Sequence, residues 1–231
     1  MTAMTPHAER RRSGLMEKPV LFINACVRGG SRTLRLAKEL LRKLERPVDE
    51  LKLNEVSFPV VNEAFLTLRD RLIADREFDH PLFRAARQFS EAETVVIAAP
   101  FWDLSFPASL KQYFEQINVV GITFRYSEEG IPVGLCRAKK LYYVTTAGGN
   151  YVPEAFGFGY VRALAEGFYG IREVVKIEAS GLDLVGADVN AIIEKAEKNI
   201  AAMTSKAEGK EADGNESVSG GRMLLVHYAD L

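Results

Sequence analysis

Histidine and cysteine are scarce in this chain, with three of the first and two of the second in 231 residues. His7 and His227 lie near the termini and His80 stands alone, so no histidine-based metal site or catalytic triad is spelled out. Cys26 and Cys136 give neither a disulfide framework nor a metal-ligand spacing, and Cys26, closing an apolar run, reads as a small buried residue rather than a nucleophile. A charge excess is missing too. The formal net charge is -1, so nothing points to nucleic acid or an anionic membrane as partner. No apolar run is long enough to span a bilayer, and the N-terminus lacks the apolar segment of a secretory signal. Two phosphate-binding templates are also absent: the chain has no G-x-G-x-x-G after a strand and no Walker pattern ending in Gly-Lys-Ser/Thr. Gly157-Phe158-Gly159 starts the first template, but Arg162 stands where its third glycine belongs.

What is present is alternation of two periods. Apolar runs at Val20–Ile23, Thr94–Ala99, Lys139–Thr146 and Glu173–Glu178 read as strands, and Val48–Leu53 alternates like another. Between them lie helical patterns at about 31–44, 63–75, 81–91, 107–118 and 153–168, with 187–205 closing the series. In the first helix Leu34, Ala37, Leu40, Leu41 and Leu44 fall on one face. Strands alternating with helices predict an α/β fold, a doubly wound five-stranded parallel sheet. The flavodoxin-like order 2-1-3-4-5 suits five such strands and puts a ligand beyond the C-terminal ends of strands 1 and 3.

Three of those strand ends carry unusual loops. The first strand turns through Gly29-Gly30 into Ser31-Arg32-Thr33 at a helix N-terminus. Unpaired N–H groups, a helix dipole, two hydroxyls and a guanidinium there suit a phosphate. An ordinary strand-to-helix turn with Ser31 as N-cap would show the same residues, and this stretch alone leaves both readings open. The third strand ends in Pro100-Phe101-Trp102-Asp103-Leu104, continuing to Phe106 and Pro107, a stiff aromatic loop for a flat ligand. The fourth ends in Thr146-Ala147-Gly148-Gly149, where backbone N–H groups can approach a developing negative charge. A phosphate cradle, an apolar plane and backbone donors on one rim describe a site for flavin mononucleotide (FMN).

From about Lys18 to Ile200 the chain resembles the flavodoxin-like NAD(P)H:quinone oxidoreductases, above all the FMN-dependent NADH-azoreductases. The resemblance rests on the strand-loop-Ser-x-Thr-helix start and on Ala-Pro-Phe-Trp-Asp-Leu-Ser-Phe-Pro from Ala99 to Pro107. It continues in Gly-Ile-Thr-Phe-Arg-Tyr from Gly121 to Tyr126 and in Thr-Ala-Gly-Gly from Thr146 to Gly149. It implies FMN phosphate contacts at Ser31, Arg32 and Thr33, an isoalloxazine loop at Pro100, Phe101, Trp102, Asp103 and Leu104, and a flavin-edge loop at Thr146, Ala147, Gly148 and Gly149, with Tyr151 nearby. It also implies a cytoplasmic homodimer in which Phe124–Tyr126 lines the partner's pocket. The implied activity is two-electron hydride transfer from NADH or NADPH to quinone, azo or nitroaromatic acceptors. No acid-base residue is demanded; Tyr126 and Tyr151 are the candidates to donate to an acceptor, and wall packing is the competing role for each. The family usually has Asn where this chain has Asp103, so a carboxylate beside the flavin would lower its potential unless Asp103 binds through backbone alone. The rivals are a one-electron flavodoxin-type carrier and a flavin-binding regulator.

The ends differ from the middle. Residues 1–17 are polar, with Arg10-Arg11-Arg12, and read as a disordered leader with Met16 as a possible natural start. Residues 18–205 form the expected FMN-binding domain. Residues 206–231 read as a polar tail whose apolar end, Met223–Tyr228, either docks on a surface or stays loose.

Overall fold

The computed structural model describes residues 18–211, with side chains placed through Thr204. The leader 1–17 and the Met223–Tyr228 segment lie outside the described residues. Among the described residues, seven strands and six α-helices run in the order β1 (Val20–Asn24), α1 (Arg32–Leu44), β2 (Val48–Lys52), α2 (Glu63–Ala74), α3 (Arg84–Glu91), β3 (Thr94–Ala98), α4 (Ala108–Ile117), β4 (Phe124–Tyr126), β5 (Pro132–Gly134), β6 (Lys140–Thr146), α5 (Phe158–Leu164), β7 (Glu173–Ala179) and α6 (Val189–Glu211). The large sheet is β2-β1-β3-β6-β7, all parallel. With the small β4–β5 hairpin set aside, this is the expected order 2-1-3-4-5.

The central strands are apolar throughout because both faces are covered. Alternate residues point to opposite faces. Leu21, Ile23, Val95, Ile97 and Tyr143 join a core under α3, α4 and α5. Phe22, Val96, Tyr142, Val144 and Ile177 join a second core under α1 and α6. The edge strand β2 is mostly exposed, which is why its pattern alternates instead. In α1 the buried face is Thr33, Leu36, Ala37 and Leu40. Leu36 therefore sits deeper than the expected stripe, while Leu34, Leu41 and Leu44 pack partly buried against the same core.

Three local features depart from the sequence pattern. The helix expected at about 153–168 breaks into a 3-10 turn at Glu154–Phe156, the α-helix α5 and a π-helical turn at Ala165–Tyr169. Gly170, left-handed at φ 76, ends it. The closing helix runs to Glu211 rather than stopping at about Ser205. The β4–β5 hairpin has strands of only three residues each, too short to show a period. It is clamped to the π turn: Phe124 meets Phe168 with ring centroids 4.9 Å apart, and a Cβ on Gly134 would collide with the backbone of Tyr169 and Gly170. Tyr169 in turn packs edge-on to Phe89 at 4.7 Å and donates its hydroxyl to Asn118 Oδ1 at 2.7 Å.

Backbone atoms cannot swing aside as a side chain can, so Gly134→Ala should force the hairpin off the π turn. The expected loss is about 1–3 kcal/mol of stability, read as a lower urea midpoint at unchanged slope.

Candidate functional site

A cleft of about 390 Å³ opens at the C-terminal rim of the sheet, lined by residues from the loops after β1, β3, β6 and β7. Ser31, Arg32 and Thr33 form its first wall, Pro100, Phe101 and Trp102 its second, and Thr146, Ala147 and Gly148 its third. The three predicted loops therefore converge.

The first wall is a helix start. Ser31 caps α1, accepting the Leu34 N–H on its hydroxyl at 3.3 Å. The N–H groups of Arg32 and Thr33 have no intrahelical acceptor at their positions, and the helix dipole adds partial positive charge. Thr33 is buried, and its hydroxyl is hydrogen-bonded to that of Thr146 at 2.6 Å, with either oxygen able to donate. It thus ties the first wall to the third.

The second wall is an extension of β3. Phe101 N–H donates to Thr146 O at 3.0 Å, carrying the ladder one step past the strand. Trp102 and Ser105 then exchange both backbone bonds, at 3.0 and 2.8 Å, around Asp103 and Leu104. Both central residues are left-handed, at φ 50 and 68, the pattern of a type I′ turn, which normally asks for Asn-Gly. Ser105 anchors the turn by donating its hydroxyl to Phe156 O at 2.7 Å.

The third wall is held from β7. The N–H groups of Gly181, Leu182 and Asp183 donate to the carbonyls of Gly149, Ala147 and Gly148 at 3.0, 3.2 and 2.9 Å. Among the described residues, the N–H groups of Gly148 and Gly149 donate to no protein acceptor. They remain available to a ligand.

Some predicted residues fall outside the lining. Asp103 and Leu104 are exposed at the tip of their turn. Gly149 lies one residue beyond the lining, and Tyr151 is 76% exposed. Tyr126, 51% exposed on β4, packs edge-on to Phe124 and also lies outside it. Four lining residues were missed by motif reading: Val27, Arg28, Leu182 and Asp183. Asp183 Oδ1 accepts from Arg32 Nη1 at 2.7 Å, and its carboxylate stands where a side chain on Gly148 would lie. Both partners are well exposed, so the pair is worth only about 0–1 kcal/mol and a phosphate could compete for the guanidinium. The signal for Asp183 was the β7 strand end itself, since every parallel strand delivers its loop to the same rim.

Neither cysteine serves the site. Cys26 is buried below the first loop and its thiol is pushed up by desolvation, against a pull from the Ser31 hydroxyl. Desolvation pushes the Cys136 thiol up to about 12. Among the described residues no cluster of His, Cys, Asp or Glu could hold a metal ion.

Residues 18–203 match a family described as having a flavodoxin-like fold. The chain is 40% identical over 198 residues, covering 78% of it and 96% of the relative, to the FMN-dependent NADH:quinone oxidoreductase 2 of Clostridium acetobutylicum. It is 36% identical over 190 residues, covering 77% of it and 93% of the relative, to the FMN-dependent NADH:quinone oxidoreductase of Clostridium beijerinckii. Among solved structures, an azoreductase from Bacillus anthracis superposes with a TM-score of 0.71 at 26% identity, covering 81% of this chain and 99% of that one.

The Thr33–Thr146 bond gives the site a testable hinge point. Thr33→Val keeps the shape but strands the hydroxyl of Thr146, a residue 9% exposed. Stability should fall by about 1–3 kcal/mol in urea unfolding, whereas Thr33→Ser should stay near wild type.

Proposed function

This chain belongs to the flavodoxin-like family of FMN-dependent NADH:quinone oxidoreductases, and from that premise we propose that it is an NADH-dependent FMN oxidoreductase acting on quinone or azo acceptors. The single observation that carries the reading is the convergence of a phosphate cradle, an aromatic wall and unspent backbone donors on one cleft. A volume of about 390 Å³ lies within the usual range for cofactor sites, about 300–1,000 Å³. FMN, when bound, supplies the capacity to accept a hydride and hand on its two electrons.

The residues supply the rest. Arg28, Arg32, the Ser31 hydroxyl and the first-turn N–H groups of α1 would hold the phosphate. Arg32 now pairs with Asp183 at 2.7 Å, an exposed and weak contact that a phosphate would compete with for the guanidinium. Phe101 and Trp102 offer the apolar plane for the ring system. The N–H groups of Gly148 and Gly149 would stabilise negative charge on the ring's polar edge, in the manner of an oxyanion hole. Asp103 and Leu104 would contribute through the shape of their turn. Tyr126, on the β4–β5 hairpin, and Tyr151, two residues past Gly149, are both exposed, and a donor role toward the acceptor belongs to the same proposal.

A homodimer belongs to the same proposal: Leu104, Tyr126, Ile131, Tyr151 and Phe156 are large apolar residues left 44–76% exposed, and burying them against a second subunit would be favourable. NADPH as alternative donor, nitroaromatic acceptors and a cytoplasmic setting complete the proposal. Among the described residues no helix is long and apolar enough to cross a membrane.

The test is direct. Purified protein should take up FMN and show flavin absorbance, which NADH should bleach without air and a quinone restore. Protein that takes up no FMN would end the reading. Protein that binds FMN but ignores NADH would favour the carrier or regulator roles. Arg32→Ala should weaken FMN binding about tenfold while leaving riboflavin, which has no phosphate, unchanged. Equal FMN affinity would remove Arg32 from the phosphate role.

A further inference from the structure

Phe101 lines a second cavity, far smaller than the cleft, together with Tyr143, Thr145, Phe158, Lys176 and Glu178. Its volume is about 10 Å³, close to the minimum that holds one water. The register of β6 and β7 explains the company. Tyr143 is opposite Lys176 and Thr145 is opposite Glu178. Residues two apart share a face, so four polar side chains cluster on a sheet face that is otherwise apolar core.

Three of their polar atoms have no hydrogen-bond partner: Tyr143 Oη, Thr145 Oγ1 and Glu178 Oε2. Tyr143 and Thr145 are 1% and 2% exposed. Glu178 Oε2 forms an ion pair with Lys176 Nζ at 3.1 Å, and Lys176 also reaches Glu154 at 3.3 Å, so the two carboxylates divide one cation. Burial pushes the Tyr143 phenol up, opposed by the Thr145 hydroxyl beside it, so the phenol stays a donor at neutral pH. Buried hydroxyls left without partners are costly, and a bridging water with two to four bonds is the usual remedy.

We propose that this cavity binds a single structural water, which accepts from Tyr143 Oη, donates to Glu178 Oε2 and accepts from the Thr145 hydroxyl. Its place gives it a task. Phe101 lines both the cleft and this cavity, so the ring stands between them. The water is a spacer behind the aromatic wall of the cleft, and it needs no cofactor.

A crystal structure of the full chain tests this. The expected result is one density peak within hydrogen-bond distance of Tyr143 Oη and Thr145 Oγ1, with or without FMN. Thr145→Val should lose the peak and lower the Tm by several degrees, whereas Thr145→Ser should keep both. A direct Tyr143–Thr145 or Tyr143–Glu178 bond with no peak between would overturn the proposal, as would a Thr145→Val protein that keeps the peak. Should Thr145→Val fail to fold, the wild-type and Thr145→Ser crystals decide.

Discussion

The five strands of the large sheet all run the same way, and that common direction decides where chemistry can occur. Each strand hands its chain to a loop on one rim. After β1 the chain turns to α1 on one face; after β3 it turns to α4 on the other. The loops must diverge there, and the divergence opens a crevice. The Thr33–Thr146 bond spans its floor and the β7 loop braces its far side. A site built on strand ends is rigid because the sheet behind it is packed on both faces.

Much of this was legible in the sequence. Val20–Ile23 and Thr94–Ala98 announce themselves as central strands because burial on two faces leaves no polar alternation. The three rim loops stood out because glycines, aromatics and hydroxyls gathered where strands ended. What could not be read depends on contacts between distant parts. Leu36 is buried because α6 covers that side of α1, and nothing in the local pattern ranks it above Leu34. The β4–β5 hairpin exists through its grip on the π turn. Arg28 and Asp183 belong to no motif, and only the folded rim brings them beside Arg32.

The turn at Trp102–Ser105 shows how the site tolerates local cost. Asp adopts a left-handed backbone readily, but Leu104 does so against a penalty of about 1–2 kcal/mol. Reciprocal backbone bonds and the Ser105–Phe156 anchor hold it there. The result is a fixed backbone under Trp102 at the cleft wall, with the tip of the turn left to solvent. Rigidity matters for an aromatic wall, since a loose ring would fill the space that a flat ligand needs.

The state of the two thiols carries a chemical consequence. Quinones are soft electrophiles, and the species they attack is the sulfur anion rather than its protonated form. Desolvation pushes both the Cys26 and the Cys136 thiol up, which lowers the fraction of sulfur anion further. A protein proposed to handle such acceptors thereby shields its own sulfur from covalent poisoning by the compounds it turns over.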